Sequence, residues 1–373
     1  MIKYCKTCLL PSTKPYIKFD TSGTCKACLF HKEKNEIKNS FIDWRERKNE
    51  FVKLIKKIKK INAPNYDVCV PVSGGKDSIS QVSHLLNKQL RILCINIDYG
   101  IKTEIGKKNL ECISQMGANL MIYRPDLIIH KKIMKIALEK YGDPDLMSHC
   151  LLHALPIRIA IQKKIPLVLL GENAAYEYSG SKSYNEKEMS LKWFKHYASN
   201  SGITPKKFSR ENMIPYRYLK AYDLPSDDEL KKTQPVFCSY FFKWSSEKNL
   251  IIAKKFGFKS LKKNSEGTYR NYVGIDEKIN RIHQYIKLLK FGYGRATDHA
   301  CEDIRNKKIS RARGILLVKK YDRVKLSNYY INDFLKFIGI TRKKFNRILS
   351  KYINYEIWKK NDKKLIIRKN NFN

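Results

Sequence analysis

Long apolar stretches are missing from this sequence. No run approaches the roughly 20 consecutive apolar residues that a membrane-spanning helix needs, and the residues from Met1 to Cys5 lack the apolar core of a signal peptide. There is also no internal repeat and no low-complexity tract. We therefore expect a cytoplasmic protein with no membrane partner, built from two or three domains of roughly 100–200 residues each.

Acidic residues are few relative to basic ones. The 373 residues include 35 Asp and Glu against 75 Lys and Arg, which gives a formal net charge of +40. A charge of this size is typical of proteins that bind polyanions. However, the basic residues are dispersed, and Lys, Ile, Asn and Tyr are abundant together, as an A+T-rich coding sequence produces. We therefore favour compositional bias over a nucleic-acid partner.

Cysteine pairs of the Cys-x₂-Cys type occur only near the N-terminus, at Cys5, Cys8, Cys25 and Cys28. The other six cysteines stand singly, mostly in apolar surroundings. In a reducing compartment two such pairs indicate a metal site and not disulfides. Four thiolates at this spacing fit a structural, tetrahedral Zn²⁺, and an iron–sulfur cluster is the chemical alternative.

Hydrophobic patterning predicts an α/β fold. The apolar strands are expected at 66–72, 91–98, 118–124 and 165–170, and the helices between and after them at 78–90, 103–116, 126–141 and 149–163. Alternation of this kind is typical of a parallel sheet that carries helices on both faces. We predict a parallel five-stranded sheet, of which these segments are four strands.

A glycine-containing loop joins the first predicted strand to the first helix of this sheet. It reads Val72, Ser73, Gly74, Gly75, Lys76, Asp77, Ser78. The glycines permit positive φ and let backbone N–H groups approach phosphate oxygens, and the helix N-terminus adds its dipole. Lys76 can neutralise phosphate charge, and Asp77 can hold Mg²⁺. The four-residue gap of a Walker loop is absent.

The hexapeptide at 73–78 resembles the pyrophosphatase loop of the N-type ATP pyrophosphatases, the PP-loop superfamily. The resemblance implies a sheet like that of the adenine nucleotide alpha-hydrolases, with ATP and Mg²⁺ as cofactors and cleavage between the α- and β-phosphates. Ligands of such sheets collect at the carboxyl ends of the strands. The predicted ATP site therefore comprises Val72, Ser73, Gly74, Gly75, Lys76, Asp77, Ser78, Asp98, Gly171 and Glu172, although Asp98 could equally be an ordinary strand-end aspartate.

Two groups of this superfamily carry a zinc ribbon ahead of the loop. One comprises the tRNA thiolation enzymes, which use reactive cysteines at the ATP site. Outside the ribbon this sequence has no Cys-x-x-Cys pair, which weakens that alternative. The other comprises the N-acetyl sugar amidotransferases, and the resemblance to them runs over almost the whole chain. Its most specific segment is 290–306, and further motifs lie at 5–11, 17–20, 71–78, 142–144, 171–173, 266–269 and 271–272.

The second resemblance implies a complete reaction. ATP adenylates the acetamido oxygen of an N-acetylated bacterial surface sugar, free or nucleotide-activated, such as pseudaminic acid or an O-antigen sugar. Ammonia-derived nitrogen then displaces AMP and leaves an acetamidino group. The implied catalytic residues are Lys76, Asp77, His149, Arg295, Asp298 and His299. Relatives often carry cysteines around 145–150, where this chain has His149 and Cys150.

A glutaminase nucleophile is missing from the sequence. Ile follows Met1, and no cysteine lies in a Gly-x-Cys-x-Gly elbow. We therefore expect ammonia to come from solution or from a separate glutaminase subunit. The predicted organisation is a Cys₄ zinc ribbon at 1–40, a linker helix at 41–62, a PP-loop domain at 63–200, a substrate-binding extension at 201–308 and a helical cap at 309–373.

Overall fold

The computed structural model describes residues 2–35, 42–174, 177, 185–198, 202–361 and 364–367. Its centre is a five-stranded sheet in the order β3-β2-β1-β4-β5, and every neighbouring pair is parallel. The strands are β1 (Val68–Pro71), β2 (Ile92–Ile97), β3 (Asn119–Tyr123), β4 (Leu167–Leu170) and β5 (Gln234–Phe237). The predicted α/β fold class is therefore confirmed.

Thirteen helices of seven residues or more lie in the described ranges. They are α1 (Lys26–Asn35), α2 (Trp44–Lys60), α3 (Lys76–Ser83), α4 (Glu104–Gln115), α5 (Leu127–Tyr141), α6 (Leu146–Gln162), α7 (Pro205–Glu211), α8 (Ser246–Lys255), α9 (Lys278–Phe291), α10 (Arg295–Arg305), α11 (Arg311–Tyr321), α12 (Asn328–Ile338) and α13 (Arg342–Lys351). Short helical turns occur at Leu191–Trp193, Phe194–Ala198, Tyr216–Tyr218, Lys220–Tyr222, Asp227–Leu230 and Cys238–Phe241. None of the helices in the described ranges combines the length and apolar character that a membrane span requires.

The two faces of the sheet bury two separate apolar layers. Successive residues of a strand point to opposite faces. Accordingly, Cys69 of β1 packs in the layer formed with α5 and α6, whereas Val68 and Val70 pack in the layer formed with α2, α3 and α4. Both layers are needed because a parallel sheet of this kind has no face turned to water. The strand ends are thereby held at one edge of a rigid core.

Two features differ from the sequence expectation. The fifth strand lies at Gln234–Phe237, inside the predicted substrate extension. This strand has only four residues and includes Pro235, which cannot donate a backbone hydrogen bond and is tolerated at a sheet edge. A segment so short and with a proline has no hydrophobic pattern that predicts a strand. In addition, the cap at 309–373 is not wholly helical, because β6 (Trp358–Asn361) and β7 (Lys364–Ile367) form an antiparallel hairpin.

The N-terminal ribbon packs against the helices that follow the sheet. Leu9 and Leu10 share an apolar cluster with Ala300 and Cys301 of α10 and Val318 of α11. At the other side, α9, α12 and α13 form a cluster with α5. The C-terminal helices are therefore fixed both to the sheet domain and to the ribbon.

Candidate active site

The loop after β1 has the geometry of a phosphate-binding turn. Gly74 has φ +86°, in the left-handed region, whereas Gly75 has φ −71° and begins α3. The Ser73 hydroxyl oxygen accepts the Gly75 N–H at 3.0 Å, and the Ser78 hydroxyl donates to the Gly75 carbonyl at 2.9 Å. Only the first glycine therefore uses the conformational freedom that the sequence motif offers. The side chain of Asn96 steadies the loop by donating to the Val72 carbonyl at 2.8 Å.

Replacing Gly74 by alanine should distort this loop. A Cβ at this position would lie 2.9 Å from the backbone nitrogen of Leu110 in α4, and φ > 0 costs an alanine about 1–2 kcal/mol. Gly117 is the matched control, because its φ is +84° and nothing lies within 4 Å of its added Cβ. Urea unfolding should show a larger loss of stability for Gly74→Ala than for Gly117→Ala, and equal losses would contradict the steric argument.

Lys76 and Asp77 form the charged part of the loop. Lys76 is buried, and its Nζ lies 2.5 Å from Asp77 Oδ2 and 5.8 Å from the ring centre of Tyr272. The other carboxylate oxygen of Asp77 accepts the Asn249 side-chain amide at 2.8 Å. Nothing in the local sequence signalled Asn249, which α8 brings to the loop from far along the chain.

Glu172, directly after β4 and Gly171, faces the same loop. Its pKa is raised to about 7, first by burial and then by the negative charge of Asp77. Because the charge of Asp77 acts on Glu172, a cation bound between the two carboxylates would relieve their repulsion. Oxygen donors are also the ligands that Mg²⁺ prefers. Asp77 is also 37% exposed. The residues therefore fit the Mg²⁺ that the loop implies.

Asp98 lies at the end of β2, but protein groups already engage its carboxylate. Its oxygens accept the Gly100 N–H at 2.9 Å and the Arg124 guanidinium at 2.5 Å. Burial would raise the pKa of Asp98, but these hydrogen bonds outweigh burial and lower it. The carboxylate of Asp98 is thus an anion held at the end of β2. This is compatible both with a place in the ATP site and with an ordinary strand-end aspartate.

The segment from Gly294 carries the remaining predicted residues on the first turns of α10. Asp322 fixes this helix start, because its carboxylate accepts the Gly294 N–H at 2.9 Å, the Ala296 N–H at 2.8 Å and the Thr297 hydroxyl at 2.5 Å. A carboxylate at a helix N-terminus is stabilising. This capping residue was not predictable from the sequence, because Asp322 lies 28 residues beyond Gly294.

Two of the predicted residues on α10 have partners within the protein. Asp298 forms an ion pair with Lys287. His299 is buried, and its Nδ1 lies 2.6 Å from the Thr268 hydroxyl. Burial, and then the charges of Arg270, Arg295 and Lys76, hold the pKa of His299 well below its usual range. His299 is therefore a neutral imidazole.

Arg295 is different, because its buried Nε has no hydrogen-bond partner among the described residues. A buried donor without a partner is costly in a folded protein. Its charge lowers the pKa of both His149 and His299, so both imidazoles lie within electrostatic range of it. An anionic ligand between these groups would complete the hydrogen bonding of Arg295.

His149 lies on the first turn of α6 and is 46% exposed. Its Nε2 is 3.2 Å from Asp145 Oδ2. Burial would lower the pKa of His149, but the charge and hydrogen bond of Asp145, with the charge of Asp143, raise it to about 9. His149 is therefore a cation at neutral pH.

The four N-terminal cysteines meet in one buried cluster. Cys5 and Cys28 Sγ are 3.9 Å apart, Cys8 and Cys25 Sγ are 3.8 Å apart, and all four lie within 4.8 Å of one another. A tetrahedron with Zn–S bonds of about 2.3 Å has edges of about 3.8 Å. The N–H groups of Cys8 and Cys25 donate to Cys5 Sγ at 3.4 and 3.2 Å. The cluster thus fits a tetrahedral metal ion.

The strand order, the loop after β1 and the cysteine ribbon define an α/β protein that resembles the PP-loop superfamily. Residues 266–370 match the family model described as LPS biosynthesis protein WbpG-like, C-terminal domain. This match agrees with the resemblance to the N-acetyl sugar amidotransferases, and it includes the whole of the specific segment 290–306. No curated protein has a sequence that matches the chain.

Two solved structures are distant matches. The NMN synthetase from Francisella tularensis is 14% identical, with 58% of this chain and 93% of that chain covered and a TM-score of 0.29. The NAD+ synthetase from Burkholderia pseudomallei is also 14% identical, with 64% of this chain and 96% of that chain covered and a TM-score of 0.30.

Proposed function

We propose that this protein is an ATP-dependent amidotransferase that converts the acetamido group of a bacterial surface sugar into an acetamidino group. The observation that carries the proposal is the contact between the WbpG-like segment and the nucleotide loop, which lie far apart in the sequence. Tyr272, in the WbpG-like segment, has its ring centre 5.8 Å from Nζ of Lys76 in the nucleotide loop. A segment typical of surface-polysaccharide synthesis therefore borders the groups that would handle ATP.

In the first step the sugar amide oxygen attacks the α-phosphate, and pyrophosphate leaves. The 73–78 loop binds the β- and γ-phosphates through its N–H groups, and Lys76 offsets their charge. Asp77 and Glu172 are the residues that would hold Mg²⁺, which neutralises phosphate charge when bound. Little proton transfer is needed, so the positioning of the two reactants dominates this step.

On the other side of the site, α10 and α6 would bind the reacting sugar. Arg295 has a free donor for an anionic oxygen, and the cationic His149 stands within range of the same place. Both groups stabilise the phosphate of the adenylyl intermediate and then of the departing AMP. We propose that Asp298 and His299 position their neighbours and do not contact the substrate. Asp298 is already paired with Lys287, and His299 is already hydrogen-bonded to Thr268.

The alternative of tRNA thiolation lacks structural support. That chemistry requires reactive thiols near ATP, and all six cysteines outside the ribbon are buried. Burial raises the pKa of Cys150 and of Cys238 well above that of a free thiol, so both thiols stay protonated. We therefore retain the sugar amide as acceptor and Zn²⁺ as the structural ion of the ribbon.

Purified protein should release pyrophosphate from ATP only when a suitable acetamido sugar is present. The test combines Mg²⁺, ATP, ammonium and a panel of N-acetylated sugars, including free and nucleotide-activated nonulosonic acids. Mass spectrometry of the sugar should show a loss of about one mass unit, as expected when O is replaced by NH. Pyrophosphate release that depends on tRNA and not on any sugar would refute the proposal.

A further inference from the structure

A second histidine–aspartate pair lies beside His149 and was not recognised from the sequence. His283 of α9 has its Nδ1 2.9 Å from Oδ1 of Asp143, which is buried. The rings of His149 and His283 meet edge to face, with centres 5.8 Å apart and planes at 73°. Two imidazoles, each backed by its own carboxylate, therefore stand at the same edge of the site.

The turn between α5 and α6 builds this arrangement. Gly142 ends α5 with φ +61°, and its added Cβ would lie 2.6 Å from the ring of Tyr352. The turn directs Asp143 towards α9 and places Asp145 at the start of α6. The N–H of Asp145 donates to Asp143 at 3.1 Å, which fixes the first carboxylate. The 142–144 motif therefore forms the turn that positions Asp143 and Asp145.

The two pairs differ in what they can do with a proton. In the His283 pair a carboxylate can only accept, so Nδ1–H donates to Asp143, and in the neutral imidazole this hydrogen bond places the lone pair on Nε2. His283 is 23% exposed, and the described residues make no hydrogen bond to its Nε2. His149 is held as a cation. The His283 pair can therefore offer a lone pair at Nε2 beside the imidazolium of His149, and an acid and a base held in one site are typical of proton-transfer chemistry.

We propose that His283, oriented by Asp143, is the general base that takes a proton from ammonium before nitrogen attacks the adenylated sugar. This inference rests on the proposed function and names the base for its second step. Ammonia is mostly ammonium at neutral pH and has no lone pair to attack with until a proton is removed. The acceptor must offer a lone pair beside the site, and Nε2 of His283, whose Nδ1 is engaged by Asp143, can offer one.

The proton balance of the step is as follows. Ammonium transfers one proton to His283 Nε2, and the resulting ammonia forms a C–N bond to the imidate carbon. The bond between the imidate carbon and the oxygen carried by the α-phosphate breaks. AMP takes that electron pair and leaves beside Arg295 and His149. The three protons of the added ammonia are shared between the two nitrogens of the product, which leaves as an amidinium ion, and His283 returns its proton to solvent. No oxidant or reductant takes part.

Charged groups from several elements face His283 and Asp143. They are Asp145 and His149 of the α6 start and Lys290 of α9, and Arg295 of α10 acts in turn on His149. Lys290 donates to the Tyr141 carbonyl at 3.0 Å. Burial would raise the pKa of Asp143, but the interaction with the His283 imidazole, the charge of His149 and the hydrogen bond from the Asp145 N–H outweigh burial and keep that pKa low. Asp143 therefore stays an anion throughout the working pH range.

The decisive variant is His283→Gln, and the two half-reactions are measured separately. Sugar-dependent ATP–pyrophosphate exchange should stay within about threefold of the wild type, because adenylation does not use this base. Amidine formation from ammonium at pH 7 should fall about 10²-fold, within the range typical of a lost general base. At fixed total ammonium, the remaining rate should rise about tenfold per pH unit below the pKa of ammonium, as the free ammonia concentration does.

A nucleophile that needs no deprotonation distinguishes a base from a structural residue. Hydroxylamine is neutral at pH 7, so His283→Gln should use it nearly as well as the wild type does. Asp143→Asn should show the same pattern with a smaller loss, and it serves as the second variant if the first does not fold. An equal loss with both nucleophiles, or of exchange as well, would overturn the assignment. If the wild type itself shows no sugar-dependent exchange, the proposed function fails instead.

Discussion

Replacing Lys76 by methionine should lower sugar-dependent ATP–pyrophosphate exchange by about 10²- to 10³-fold, the loss typical of removing one preorganised charge-stabilising group. Methionine keeps an unbranched, flexible side chain and removes the ammonium group with its charge and hydrogen-bond donors. In the structure Lys76 is buried and lies 2.5 Å from Asp77. Without it, the phosphates would meet the carboxylates of Asp77 and Glu172 with no side-chain cation from the loop to offset them.

The control for this variant is Lys107→Met. Lys107 lies on α4, is 56% exposed and pairs with Glu104 one turn away, so its ion pair contributes little to stability. Its exchange rate should remain within about twofold of the wild type. Thermal unfolding should be measured for both variants, because removal of a buried charge also changes stability. If Lys76→Met retained more than about a tenth of the wild-type rate, the loop would not act as proposed.

The nucleotide loop was predictable because its determinants are adjacent in sequence. A buried strand, two glycines, a lysine and a helix start occupy one continuous segment, and the backbone at Gly74 follows from local sterics. Helix starts were predictable for the same reason. The helix predicted at 103–116 is capped by Thr103, whose hydroxyl accepts the Gly106 N–H at 3.0 Å.

The groups that complete the site could not be predicted in this way. Asn249 reaches Asp77 across 172 positions, and His283 reaches Asp143 across 140. Such contacts depend on how helices pack on the sheet, and no local pattern records which polar side chain will meet which. The family resemblance included the 142–144 motif and thus pointed to Asp143, but it gave no indication of its partner.

The ribbon shows how a distant element can control this site. Its Leu9 side chain packs on α10, and the Leu9 N–H donates to Cys301 Sγ at 3.3 Å. Arg311 of α11 donates to the Cys8 carbonyl at 3.2 Å. The cluster therefore supports the helix whose other end carries Arg295. A ribbon of this size has no core of its own, so a metal ion held by the four cysteines would supply much of its folding free energy.

Replacing Cys25 by serine should therefore remove the zinc and impair catalysis, although the cluster is far from the loop in sequence. We expect elemental analysis to find one zinc in the wild type and much less in Cys25→Ser. Limited proteolysis should cut residues 2–35 of the variant first, because the ribbon unfolds locally. Sugar-dependent exchange should fall at least about tenfold, a loss of about 1.4 kcal/mol in transition-state stabilisation, since α10 loses the surface that supports it.

Cys301→Ser is the matched control, since Cys301 is a buried thiol beside the cluster but is not one of the four grouped cysteines. It should keep one zinc and lose much less activity than Cys25→Ser. If Cys25→Ser lost its zinc yet kept full exchange activity, the ribbon would not support α10 in the way described. Loss of zinc in Cys301→Ser would instead assign that thiol to the metal. A visible absorbance band in the wild type would identify an iron–sulfur cluster in place of zinc.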